Sequence, residues 1–141
     1  MFDLDLTDTQ SALIDSVRKA CADLDDHYWT KYEQAHEFPY EFFKAMVDIG
    51  VVGMLAPTEY GGSAMSIEDA ALVLQTISES GAGINGCSTV HLSMFGFHPV
   101  ATHGSKVLKQ KYLPKIASGE IHVCFGVTEP DAGSDTTRIT T

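Results

Sequence analysis

Basic residues are scarce in this 141-residue chain: nine Lys and Arg face nineteen Asp and Glu, for a formal net charge of −10. A nucleic-acid surface needs clustered cations to neutralise phosphates, so that class of partner is excluded. The one local gathering, Lys106, Lys109, Lys111 and Lys115, has the spacing of the wet face of a single helix. Cysteine is also rare. Cys21, Cys87 and Cys124 are odd in number and lack the close pairs of a metal site or a disulfide framework, which fits a reducing compartment. No run approaches the roughly 20 apolar residues of a membrane span. The opening MFDLDLTDTQ is acidic, has no Arg and no continuous apolar centre, and so is neither signal nor transit peptide. Together these absences predict a cytoplasmic protein.

What is present is a core. Hydrophobic residues make up 44% and charged residues 20%, without low-complexity tracts, in a length that suits one ordinary domain. The spacing predicts five helical stretches. Thr7 with Gln10 forms a capping box ahead of Leu13, Ile14, Val17, Cys21 and Leu24, read as one long amphipathic helix reaching Gln34. Pro39 and Gly50 bracket a second helix with Phe42, Phe43, Met46 and Ile49 inward. VVGMLAPTEYGGSAM is a loop, after which Ser66 caps a third helix carrying Ile67, Ala70, Ala71, Leu74 and Ile77 as its inner stripe, ended by Gly81. INGCSTVHLSMFGFHPVATHG is apolar nearly all round, a central helix that Pro99 is expected to kink or interrupt. SKVLKQKYLPKIASGE is the fifth, with Val107, Leu108, Tyr112 and Ile116 inward and Pro114 weakening its end.

After Gly119 the period changes. IHVCFGV, residues 121–127, reads as a strand, and RITT begins another, so about 120 helical residues lead into a scrap of sheet. Between these lies TEPDAGSD. Its hydroxyls on Thr128 and Ser134 and the amides around Gly133 can form an anion-binding nest. Alternatively it is a tight hairpin loop in which Pro130, Asp131 and Gly133 serve turn geometry alone. Glu129 and Asp135 belong to the loop's construction rather than to catalysis. His91, His98 and His103 are spaced by seven and five residues, which does not stack them as metal ligands on one helix face, and they read as core or substrate-pocket packing.

The run FGVTEPDAGSDTTRI, preceded by YLPKIASGE and by APTEYGGSAMSIEDAALVLQTI, resembles the N-terminal half of the acyl-CoA dehydrogenase flavoprotein family, over nearly the whole chain. The resemblance implies a mainly α fold: an N-terminal all-α domain over 1–120 and, over 121–141, the incomplete start of a middle β-domain. It implies FAD as cofactor, with Phe125, Val127 and Thr128 along the flavin and Gly133 and Ser134 at the pyrophosphate, Ser134 also touching the acyl-CoA. The reaction implied is α,β-dehydrogenation of an acyl-CoA thioester in lipid degradation. Its catalytic base in the family is a glutamate beyond residue 141, so no catalytic residue and no metal ligand is assigned here. Electron transfer flavoprotein as oxidant and a homotetramer as assembly follow from the family alone.

Three functions remain distinct at this point: a partial acyl-CoA dehydrogenase completed by downstream sequence, a half-length subunit of a split heteromeric dehydrogenase, and a helical module that binds acyl-CoA without turnover. All three share one expectation. The far-ultraviolet circular dichroism of the isolated chain is dominated by helix, because five capped amphipathic stretches precede Gly119; a strand-dominated trace would refute the organisation read here.

Overall fold

A computed structural model describes residues 5–141, so the first four residues of the expected 1–120 domain lie outside the described residues. Thr7 begins α1 (Asp8–Cys21) through the expected capping box: its hydroxyl accepts from the Gln10 amide, and the Gln10 side chain returns to the Thr7 amide. Ser66 begins α4 (Ile67–Ile77) in the same way with Asp69. The two boxes are joined, because Gln10 Nε2 donates to Asp69 Oδ1 at 3.0 Å. That bond and the Ser66 amide hold the Asp69 carboxyl below its ordinary range.

The long first helix is divided. It stops at Cys21, and Asp25 accepts from the Tyr28 amide to start α2 (Asp26–Ala35), which ends at His36 in the left-handed region, φ 53°. A run of Asp within DLDD offers a capping oxygen that competes with helix continuation. In α3 (Tyr40–Asp48), Pro39 supplies no side-chain cap. Tyr28 does so from a distance: its hydroxyl accepts from the Phe42 amide at 3.2 Å, and burial pushes the phenol up to about 12. Trp29 meets Phe42 edge to face at 5.0 Å.

Residues 51–56, expected as part of a loop, are a loop in the core. Val51, Val52, Met54 and Ala56 are buried although they form only turns. The amides and carbonyls of Val51, Met54 and Ala56 are paired locally and with 64–65, including Val51 N–H to Met46 O and Met65 N–H to Met54 O, which lowers the cost of hiding backbone polar groups. Gly62 lies against this segment so closely that a Cβ would stand 2.0 Å from the Ala56 carbonyl oxygen.

Other inner faces are also turned relative to the spacing. In α4 the buried residues are Ala70, Val73, Thr76 and Ile77, while Ile67 is 69% exposed. A wide turn, Ser78–Ala82, with Gly81 at φ 99°, leads from α4 into α5 (Gly83–His103). Pro99 does not break α5. It sits near the C-terminal end on an exposed face, and the one amide bond it forfeits is to the carbonyl of Phe95, itself an exposed residue. The α5 stripe Gly86, Thr89, Val90, Ser93, Met94, Gly96 and Phe97 is buried, and Ile84, Leu92 and Phe95 stay outside. In α6 (Lys106–Ala117) Leu113 and Ile116 are buried, whereas Val107, at 72%, and Leu108 are exposed. The helix packs through its C-terminal half, and its first turn projects past the core.

The expected strand over 121–127 is not formed, and no strand occurs among the described residues; Glu129 and Ala132 make one isolated antiparallel bridge. A strand is defined by a partner for its ladder, and residues 121–127 have none here. No helix among the described residues is long and apolar enough to cross a membrane.

Urea unfolding should rank these contributions. Phe42→Ala, at a fully buried position, is expected to cost about 3–5 kcal/mol, and Asp69→Ala, which removes a cap and the tie to Gln10, about 1 kcal/mol. The reverse order would mean that the linked caps, not the aromatic core, dominate stability.

Candidate functional site

The residues expected to face a flavin lie on the segment that leaves α6. Phe125 is 53% exposed and meets Phe95 of α5 edge to face, with ring centroids 5.0 Å apart. His91, one turn earlier on α5, stacks on Phe95 at 5.7 Å and 18°. Three rings from two segments thus form one open apolar wall. The sequence reading named Phe125 and His91 separately and missed Phe95, and no local signal joins residues thirty apart in the chain. His98 and His103 do not enter this wall; His98 lies against Thr102 on the exposed side, with 3.3 Å between Nε2 and Oγ1.

Beyond Phe125 the chain turns sharply. Glu129 N–H donates to Ala132 O at 3.0 Å and Ala132 N–H to Glu129 O at 3.2 Å, with Pro130 and Asp131 at the two corners. Pro at the first corner supplies the fixed φ such a turn needs. The hairpin therefore accounts for Pro130 and Asp131 and leaves Gly133 and Ser134 outside it. None of the hydrogen bonds among the described residues engages the Thr128 or Ser134 hydroxyl, and both residues are exposed. A Cβ built at Gly126 or Gly133 meets nothing within 4 Å, and neither glycine has a positive φ. Nothing among the described residues requires glycine at either place, and the bare backbone there is open to close approach. An apolar wall followed by free hydroxyls and uncovered backbone suits a flat ring carrying a polar edge and a pyrophosphate, so the residues present fit FAD.

The two acidic residues nearby are structural. Asp135 Oδ1 accepts from the Thr137 amide at 3.2 Å and starts the short turn Thr136–Arg138. Glu129 accepts from the Thr140 amide, at 3.0 Å, the Thr141 amide, at 3.0 Å, and both threonine hydroxyls. These bonds, led by the Thr141 hydroxyl, bring its carboxyl down to about 2. A carboxylate so occupied is a clasp and a poor proton acceptor.

A family model described as acyl-CoA dehydrogenase, N-terminal domain, matches residues 7–120. An acyl-CoA dehydrogenase of Bacillus subtilis is 35% identical over 103 residues, which cover 73% of this chain and 27% of the relative. Among solved structures, a glutaryl-coenzyme A dehydrogenase in complex with glutaryl-CoA superposes with a TM-score of 0.84 at 30% identity, over 99% of this chain and 36% of that one. An acyl-CoA dehydrogenase of Bacillus anthracis complexed with FAD gives 0.81 at 26%, over 94% and 23%. The chain thus spans a quarter to little more than a third of the length of these proteins.

The Glu129 clasp sets a pH dependence. Because its folded pKa lies below the ordinary 4.5, the clasp is fully present above that value and is lost as pH falls through about 2. The Glu129 side-chain carboxyl resonance should therefore titrate with a midpoint near 2 and carry the Thr140 amide with it, and Glu129→Gln should abolish that transition without changing the helical spectrum. A midpoint near 4.5 would show that the carboxylate is not engaged.

Proposed function

The chain belongs to the acyl-CoA dehydrogenase family, and from that membership we propose that it supplies the helical domain and first flavin-facing loop of an FAD-dependent enzyme that oxidises an acyl-CoA thioester between Cα and Cβ. The observation that carries the reading is the open wall of His91, Phe95 and Phe125 running into a loop whose Thr128 and Ser134 hydroxyls are unengaged. In this reading residues 1–120 are the all-α domain and 121–141 the start of the β-domain. Phe125 and Val127 lie along the ring and Thr128 at its polar edge; Gly133 and Ser134 meet the pyrophosphate, and Ser134 also meets the acyl-CoA. Bound FAD would accept the hydride that leaves Cβ. This chain's residues bind and orient, shielding one side of the reacting bond from water. As the family resemblance implies, the proton on Cα goes to a glutamate outside residues 1–141, and Glu129, which is clasped, and Asp135, which caps a turn, are not offered in its place.

Relatives named as acyl-CoA dehydrogenases, one with FAD bound, support this class of reaction. A cytoplasmic setting is proposed with it, on the scattered, unpaired cysteines, as are electron transfer flavoprotein as oxidant and a tetrameric assembly. A second form of the same proposal has a complementary subunit in place of downstream sequence, and either would cover the exposed Ile84, Val107 and Leu108 and bring the base. An acyl-CoA-binding module without flavin is the remaining alternative.

Purified alone, the 141-residue chain is expected to be colourless and inactive, because one wall cannot hold a flavin and the base is missing. The measurement is reduction of an artificial electron acceptor with added FAD and short to long acyl-CoAs. Turnover above a no-protein control would place the base within this chain. Joined to the remaining β-domain and helical bundle, the protein should copurify with FAD and lose it when Thr128 and Ser134 are both changed to Leu. Retention of FAD by that variant would remove the loop from the cofactor site.

A further inference from the structure

The flavin-facing segment carries no ladder hydrogen bonds, yet it runs at a defined place along α5, and two contacts account for that. The first is a close approach. Val123 lies over Gly96 so tightly that a Cβ on Gly96 would stand 2.2 Å from Val123 Cγ1 and 2.8 Å from its Cβ. Real Cβ atoms do not come that near, so the glycine is what lets the segment touch the helix. The second is an aromatic slot. His122 is set against Phe43 at 4.4 Å, Phe38 at 4.9 Å and Tyr40 at 6.4 Å, rings that belong to α3 and its lead-in. Clefts of about 240 and 640 Å³ flank the imidazole, so it stands as a wall between two spaces rather than as filling in one.

These contacts sit immediately before the residues that matter. Val123 is two residues from Phe125, and Gly96 is next to Phe95, so the pair sets the register in which the two phenyl rings meet. We infer that Gly96, His122 and Val123 are positioning residues: together they pin the segment leaving α6 onto α5 and α3, and thereby fix where Phe125 and the loop 126–134 are presented. The inference deepens the flavin reading of that loop and rests on it for its purpose, but the anchor itself exists without cofactor.

The test is therefore made on the 141-residue chain by nuclear magnetic resonance, reading cross-peaks between the Phe95 and Phe125 rings and the amide shifts of 125–128. Gly96→Ala is expected to abolish the ring cross-peaks and move those amides while core resonances of Val17 and Val73 stay in place. Val123→Gly alone, which removes the side chain that rests on Gly96, is expected to lose them as well. Cross-peaks that persist in Gly96→Ala or in Val123→Gly overturn the inference. Should Gly96→Ala fail to fold, His122→Ala decides, since it removes the second contact without adding an atom: loss of the cross-peaks with intact helices supports the anchor, and their retention overturns it. If the flavin reading alone is wrong, these results are unchanged and the FAD-retention experiment on the longer protein fails instead.

Discussion

The arrangement of the helices depends on burying residues 51–56, six residues without regular structure placed where a helix or strand would be expected. Val51, Val52 and Met54 belong to the cluster to which α1, α2, α3, α4 and α5 all contribute, and Ala56 to the smaller one under α6, while Leu55 packs against both. Irregular backbone in a core is costly unless each amide and carbonyl is paired. Here Met46, Ala64 and Met65 provide partners from outside the segment, and internal turns provide others. α6 is seated on this segment, with Ala117 so close to Gly53 that a Cβ there would lie 2.9 Å from the Ala117 carbonyl oxygen. Everything that leaves α6, the candidate site included, takes its starting point from that seat.

What was legible in the sequence was whatever is local. Thr7 with Gln10 and Ser66 mark real boundaries, because a cap is made from side chains three residues apart, whereas α4 stops at Ile77, ahead of the expected Gly81. What was not legible depends on neighbours far along the chain. The α4 stripe is rotated to Val73 because α1 and the Ser78–Ala82 turn, not helical spacing alone, choose its inner face. Val107 and Leu108 have the spacing of a core stripe and no core beneath them. Pro99 looked like a break, yet α5 continues through it at a place where Pro99 and Phe95 are both exposed.

The candidate site divides in the same way. The residues proposed to touch the cofactor come from motif resemblance, and the structure adds contacts beside one of them: Phe95 against Phe125, Val123 over Gly96, and His122 among three rings. Glu129 changed meaning most. In the sequence it is an acid beside a glycine loop; in space its four bonds to Thr140 and Thr141 make it a fastening for the chain that follows.

Four glycines differ in what they allow this protein to become. At 62 and 96 an added methyl collides with this chain's own atoms, so substitution is penalised by the fold itself. At 126 and 133 it meets nothing and no unusual backbone angle forbids it. That latitude belongs to single positions and stops short of the loop as a whole, because Ala132 between them is buried and Glu129 fastens Thr140 and Thr141. The loop thus joins two open points to a tethered middle, and a side chain can be added at either point without loosening the tether.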